Sequence, residues 1–472
     1  MAAVRRSARL ALVQNSPVHD TNVSPPQRPK RKKTSVAEDK ESAPPSPSRG
    51  TGEAVISDDE YLEKSKSPRK KRRPKPEPVY VIPDVETKTT TFKGRLGYAC
   101  LNTVLRNRKP ASEAVFCSRT CRLESLKSNG LDWVKDIGRK NAEDLITMIQ
   151  WNEDNHIRFL RVSSEMFPFA SHAIHGYSLK YCAPILARAG ALANQYGHRL
   201  TTHPGQYTQL GSPKPEVVQS SIRELSYHCE MLDRMGVGVD GVIIVHGGGV
   251  YEDKAATLAR IKKVITEALP EDVRNRLALE NDELCYNAED LLPLCEELGV
   301  PLIFDYHHDA LNPSSIPPKV IIERANAIFA RRGIRPKQHL SEPRPGAVTL
   351  MERRAHADRC ENLPVDLPDD MDLMIEAKDK EQAVLHLYRM YNLHSVNYAS
   401  LRPPDPNQTK ETKGRKSNKK ARVKAEQLSV DREVREELAV ISNGDCETEP
   451  TKVILGVDLQ VHQETASVSS AT

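Results

Sequence analysis

The run Val242-Ile243-Ile244-Val245-His246-Gly247 sets four apolar residues ahead of a histidine and a glycine. An apolar stretch of this length, bounded by a turn former, reads as a strand buried on both faces. The figure recurs along the chain: Leu200-Thr201-Thr202-His203-Pro204, Leu277-Ala278-Leu279-Glu280, Leu302-Ile303-Phe304-Asp305-Tyr306-His307-His308, Gln338-His339-Leu340-Ser341 and Leu373-Met374-Ile375-Glu376. Strands that repeatedly finish on a metal-ligand residue type predict a parallel barrel whose carboxyl-end face holds a multinuclear divalent-cation site.

Eight strands are expected, at 95–101, 157–162, 199–203, 242–246, 277–280, 302–306, 337–340 and 373–376. Between them, apolar residues recur every three to four positions over 141–151, 177–196, 215–235, 254–269, 288–298, 319–331 and 380–391, the spacing of a helix that buries one face. Strand and helix in alternation predict an α/β fold, a single (β/α)8 TIM barrel over residues 94–401. An open doubly wound sheet is the runner-up, but it would carry a nucleotide-binding glycine fingerprint after its first strand, which Gly94 and Gly97 do not supply.

Only 38% of the 472 residues are apolar, because the two ends are poor in them. Residues 1–88, rich in Pro, Ser and charge, cannot bury enough surface to order themselves and are expected to form a disordered basic tail. Residues 402–472 are expected to be mostly disordered as well, with a basic block over 410–424. The net charge of +5 is uneven, since the first 80 residues hold 18 Lys/Arg against 10 Asp/Glu. Pro29-Lys30-Arg31-Lys32-Lys33 and Arg69-Lys70-Lys71-Arg72-Arg73-Pro74-Lys75 resemble the two clusters of a nuclear import signal, and the acid-free Arg5, Arg6 and Arg9 make the mitochondrion a second address. No run approaches the roughly 18 apolar residues of a spanning helix, so no membrane association is expected. Nine cysteines without a framework suit a reducing compartment, and Cys117 and Cys121 read as free thiols rather than as half of a zinc site.

In a barrel, residues at the carboxyl ends of different strands converge despite wide sequence separation. His203, His246, Glu280, Asp305, His308, His339 and Glu376 occupy those ends. Gathering three carboxylates costs heavily through repulsion and desolvation unless cations sit among them. A mixed imidazole and carboxylate set suits Zn2+, Mn2+ or Fe2+ better than Mg2+. After His203, the segment Pro204-Gly205-Gln206-Tyr207 presents an amide and an aromatic ring on a rigid surface turn, a shape able to enter a base stack. Arg95, Arg106, Arg108, Lys109, Arg119, Arg122, Arg344, Arg353 and Arg354 are expected in or near loops of the same face, where they would meet phosphates.

At these residues the chain resembles the UV damage endonuclease family of DNA repair enzymes. The motifs are Leu96-Gly97-Tyr98 with Asn102, Ser171-His172, His203-Pro204-Gly205-Gln206-Tyr207, His246-Gly247-Gly248, Glu280-Asn281-Asp282, Asp305-Tyr306-His307-His308, Lys337-Gln338-His339-Leu340-Ser341, His356-Ala357-Asp358, and Met374-Ile375-Glu376-Ala377-Lys378-Asp379-Lys380. They run in order over about two thirds of the chain. The resemblance implies a barrel acting on UV-damaged double-stranded DNA, nicking the backbone 5′ of cyclobutane dimers and 6-4 photoproducts to leave a 3′-hydroxyl and a 5′-phosphate. It implies three divalent cations, Mn2+ foremost, with Zn2+ or Mg2+ as alternatives. His203, His246 and Glu280 would hold one; Glu280, Asp305, His339 and Glu376 a second; His308 and His356, helped by a carboxylated Lys337, the third. Glu280, Lys337 and His172 are implied in catalysis, His172 through phosphate or the geometry of the site. Gln206 and Tyr207 would probe the bases opposite the damage, while Tyr98 and Asn102 shape the lesion pocket. A monomer is expected.

Three rivals remain: an abasic-site nuclease of the endonuclease IV type, a metal-dependent sugar isomerase, and a DNA-binding protein that has lost catalysis. The His-Pro-Gly-Gln-Tyr and Lys-Gln-His-Leu-Ser segments favour the photoproduct enzyme over the first. The basic ends and the Gln206-Tyr207 turn go unexplained by the second, and the full ligand set argues against the third.

Overall fold

Eight short parallel strands close on themselves in chain order. They are β1 Arg95–Ala99, β2 Phe159–Val162, β3 Arg199–Thr202, β4 Ile243–His246, β5 Leu277–Glu280, β6 Leu302–Asp305, β7 Lys337–Leu340 and β8 Asp372–Ile375. This computed structural model describes residues 79–251 and 253–406; the basic runs of the N-terminal segment and the block at 410–424 lie outside the described residues. The ladder between β8 and β1 pairs Arg95 with Asp372, Leu96 with Leu373 and Gly97 with Met374, which closes the ring. Its thinnest seam is between β3 and β4, joined by the one pair Thr202 and Ile243.

The helical shell follows the expected periodicity. Helices Leu131–Asp154, Ala183–Gln195, Pro215–Arg234, Lys254–Lys263, Ala288–Leu298, Pro318–Arg331 and Glu381–Tyr391 pack their apolar faces on the outward side chains of the strands, such as Leu96, Leu160, Leu200, Val245, Leu279, Phe304 and Leu373. The helix expected to run from 254 to 269 widens into a π-helical turn at Val264–Ala268. Short helices at Thr103–Arg106, Leu123–Asn129, Tyr306–Leu311 and Leu350–Arg353 carry too few residues to show a period. Residues 79–93, mostly assigned to the tail by composition, lie against the barrel: Lys88 N donates to Met390 O at 2.8 Å, Arg389 Nη2 donates to Pro83 O at 2.8 Å, and the Arg402 guanidinium covers the Tyr80 ring. No helix among the described residues is long and apolar enough to cross a membrane.

The barrel interior is divided: Val242, Ile244, Ala278 and Ile303 make an apolar cluster on the side of β4 to β6, and a charged set crosses the rest. Arg199 on β3 reaches Asp372 on β8 at 2.9 Å, across strands that are not neighbours, and Arg95 grips the same carboxylate at 2.7 and 2.6 Å. Above this pair the Phe159 ring fills the bore, with the Arg199 guanidinium and the Lys337 ammonium group over it at 5.8 and 5.6 Å. Gly97 makes room for that ring, since a Cβ there would stand 2.6 Å from it. Lys337, fully buried, leads upward to His339 and the carboxyl-end cluster.

Candidate metal centre

Glu280 ends β5 and is the hub of the cluster. Its Oε2 lies 3.1 Å from His203 Nε2 and 4.0 Å from His246 Nε2, and its Oε1 lies 2.8 Å from His339 Nδ1 and 3.8 Å from His308 Nδ1. Three groups of donor atoms close enough to share a cation result: His203, His246 and Glu280; Glu280, Asp305 and His308; Glu280, His339 and Glu376. The first matches the expected set. Asp305, expected beside His339 and Glu376, stands instead with His308, because its Oδ1 accepts the backbone N–H groups of His307 and His308 at 2.8 Å and so caps the turn that follows β6.

Backbone carbonyls orient the imidazoles. His203 Nδ1 lies 2.9 Å from Pro204 O, His308 Nδ1 2.9 Å from Asn281 O and His356 Nδ1 2.7 Å from Glu376 O. In His203 and His356 a ring nitrogen that donates to a carbonyl leaves the opposite one with its lone pair for a ligand. Asn281 fastens the two acidic strand ends: its Oδ1 accepts from Asp305 N at 2.8 Å and its Nδ2 donates to Asp305 O at 3.0 Å. Gly247 leaves space for the Tyr286 ring, which a Cβ would meet at 2.5 Å.

Protonation suits a cation. Burial pushes the Glu280 carboxyl up, but His339, His246 and His203 outweigh it and hold the group well below the usual carboxylate range. Glu376 is likewise held down, against burial, by Arg161 and His339. Burial drives His203 down to about 4, so its ring is neutral near neutral pH. His308 goes the other way: burial disfavours its charge, yet Asp305, Glu280 and Glu283 raise it to about 9. Burial, with Arg199 and Arg161 nearby, lowers Lys337 far below lysine's usual value. Asp305 Oδ2 is buried without a hydrogen-bond partner, a cost of about 1–3 kcal/mol that a cation held with Glu280 and His308 would remove. The residues therefore fit divalent cations.

Other expected members fall elsewhere. Lys337 is not grouped with His308 and His356; its Nζ touches His339 Nε2, since residues two apart on β7 share its inward face and Lys337 sits one step deeper. His356 is in none of the three donor groups, and the His307 ring stands between it and His308, 5.5 and 6.5 Å away. His172 lies in the loop after β2, its Nδ1 accepting from Ile174 N and His175 N at 3.1 Å, and it joins no donor group. Gln206 and Tyr207 are exposed at the tip of the β3 loop, Tyr207 at 82%. Tyr98 and Asn102, expected to shape a lesion pocket, are both 0% exposed: Tyr98 faces outward from the barrel, its hydroxyl donating to Asn152 Oδ1 at 2.7 Å and accepting from Asn102 Nδ2 at 3.1 Å. They brace the wall of the β1 turn and do not line a surface.

The cationic loop residues also divide. Arg95 belongs to the amino-end face, bound to Asp372, because it begins its strand. Arg119 pairs with Asp144, Arg354 with Glu283 at 3.0 Å, and buried Arg344 donates to His356 O at 3.1 Å. Arg106, Arg108, Lys109, Arg122 and Arg353 are exposed. Among residues the sequence did not single out, Arg161 bonds Glu376, Glu283 Oε2 lies 3.7 Å from His308 Nε2, and His307 Nε2 is buried without a partner. Arg161 was detectable as an arginine on the inward parity of β2.

The family model described as UV-endonuclease UvdE matches residues 94–402. The chain is 48% identical over 322 residues to the UV-damage endonuclease of Schizosaccharomyces pombe, covering 66% of this chain and 53% of that one. It is 47% identical over 345 residues to the UV-damage endonuclease of Neurospora crassa, covering 64% and 52%. A UV DNA damage endonuclease of Bacillus velezensis is 32% identical over 308 residues, 62% of this chain and 92% of that one. The crystal structure of SacUVDE superposes with a TM-score of 0.55 at 30% identity, over 62% of this chain and 96% of that one. The chain thus spans about half the length of the two fungal relatives. With the family model covering well over half of its residues and an eight-stranded barrel beneath it, the chain belongs to the UV-endonuclease UvdE family.

Proposed function

We propose that this chain is a divalent-cation-dependent endonuclease that nicks duplex DNA immediately 5′ of UV photoproducts, leaving a 3′-hydroxyl and a 5′-phosphate. One observation carries the reading: both oxygens of Glu280 are shared among four imidazoles, with Asp305 and Glu376 alongside, at the carboxyl end of a barrel. The relatives' names supply the substrate class. Bound cations, with Mn2+ the first choice for this donor set and three the number it suits, would supply Lewis-acid charge and an acidified water.

The chain's own residues do the rest. Neutral His203 and ionised Glu280 and Glu376 offer lone pairs without first shedding a proton, and Arg161 steadies Glu376 from below. His172, oriented by two backbone N–H groups, faces a scissile phosphate, and His356 stands ready through Nε2. Gln206 and Tyr207 enter the stack opposite the damage, where weak pairing lowers the cost of extrusion. Burial, which lowers Lys337 far below lysine's usual value, favours the free amine that adds CO2 to give a carbamate and a proton, and intact mass in a carbonate-replete preparation reads that adduct directly. The basic runs at 29–33 and 69–75 would direct the protein to the nucleus.

Incubation with Mn2+ and an end-labelled duplex bearing one thymine dimer, beside undamaged and abasic duplexes, tests the reading. A nick just 5′ of the dimer is the expected product. Cleavage confined to the abasic duplex transfers the assignment to an endonuclease IV-like activity.

A further inference from the structure

After β7 the chain makes an excursion over the carboxyl-end face before returning to β8. Its base is pinned to the cluster: Pro343 bridges His356, Arg344 donates to His356 O at 3.1 Å, and His356 Nδ1 donates to Glu376 O at 2.7 Å. Its tip shows three large apolar side chains within four residues, Val348 at 79% exposure, Leu350 at 49% and Met351 at 70%. The tip is not slack. Thr349 and Glu352 form a capping box, and Glu352 Oε2 also accepts from Val348 N at 3.0 Å, which fixes the backbone that displays those side chains.

Three apolar side chains held in water by a rigid turn need a partner. The contacts say where to look: Arg354 donates to Glu283 in the loop after β5 at 3.0 Å and Arg353 to Ala310 O after β6 at 3.5 Å, so the tip stands two to three strands round the ring from β3, whose loop carries the exposed Gln206-Tyr207 turn at the same carboxyl-end face. Charge says what kind of partner. Arg353 beside the tip is exposed, and Lys378 and Lys380, on the loop that leaves β8, are half-buried. Apolar tips on a cationic base match a polyanion with an apolar interior, which is what a base stack inside its phosphates is.

We propose that Leu350 and Met351 form a second insertion element, entering the damaged duplex at a point separate from Tyr207 on the same carboxyl-end face, so that the lesion is held out of the stack at two points. This rests on the reading above that the substrate is photoproduct DNA. The test compares the full-length protein with the double variant L350S/M351S and with V239S, whose side chain is 61% exposed in the loop before β4, on the opposite face. Each is mixed with Mn2+ and a duplex carrying one thymine dimer and 2-aminopurine opposite it. The double variant is expected to lose about tenfold or more in nicking rate, the scale of one lost base-stacking contact, and most of the fluorescence rise that reports unstacking. V239S keeps both, and all three share one unfolding midpoint, because these side chains are exposed. Wild-type values of rate and fluorescence in L350S/M351S, or equal losses in V239S, overturn the proposal. A wild-type protein that unstacks the probe without nicking sinks the functional reading alone, and the fluorescence comparison still judges the tip.

Discussion

Glu280 bonds or faces four imidazoles, so its charge and both its oxygens are engaged at once. Glu280→Gln keeps the volume and removes the charge; nicking is expected to fall by about a thousandfold, roughly 4 kcal/mol of transition-state stabilisation, with far-UV circular dichroism unchanged. His308 makes a different prediction. Raised to about 9, it is protonated at neutral pH when the site is empty of cations, and a cation that uses it must displace the proton. Since the unfolded value is about 6.5, the charged ring stabilises the cation-free fold fully below that pH, and this contribution fades as pH climbs through 9. Apparent Mn2+ affinity should therefore climb with pH up to about 9, with proton release seen as buffer-dependent heats in calorimetry. Nearly all of the hub was legible in the sequence because strand-end parity is a local signal. The burial of Tyr98 was not: outward residues of β1 are covered by the helix Leu131–Asp154, and nothing local announces that cover.

At the scale of elements, the join between β5 and β6 is the one that sets cluster geometry. Its ladder pairs Leu279 with Leu302 and Glu280 with Ile303, and Asn281 extends it by one further rung through its side chain. Asn281→Ala leaves the Asp305 amide and carbonyl unmatched, at a cost of about 1–3 kcal/mol in urea unfolding. It should also weaken Mn2+ binding by roughly 10- to 100-fold, as expected for a residue that orients ligands. Wild-type affinity in the folded variant would show that Asn281 serves the fold alone. A strand such as β5 falls where an apolar run meets an acidic end, so its bounds were readable to the residue. The four-residue helix Leu350–Arg353 was not, since one turn has no repeat to detect.

For the whole molecule, the ion pair across the bore is the least predictable feature, because alternation along a strand says which side chains point inward but not that an arginine on β3 will meet an aspartate on β8. Asp372 and Arg199 are both fully buried, so Asp372→Asn strands a guanidinium and should cost about 3–5 kcal/mol in chemical denaturation. Burial pushes the Asp372 carboxyl up, yet Arg95 and Arg199 hold it below its ordinary value. Its contribution is thus complete above the unfolded value of about 3.9 and is lost as pH falls through the lower folded one; D372N should flatten acid unfolding in that range.

One rung alone, Thr202 with Ile243, ties β3 to β4. That lightest stitch lies directly before His203, and Tyr207 follows four residues later. On the proposed reading a cation donor and a base reader thus share one lightly held segment, so that a shift in either would be felt by the other.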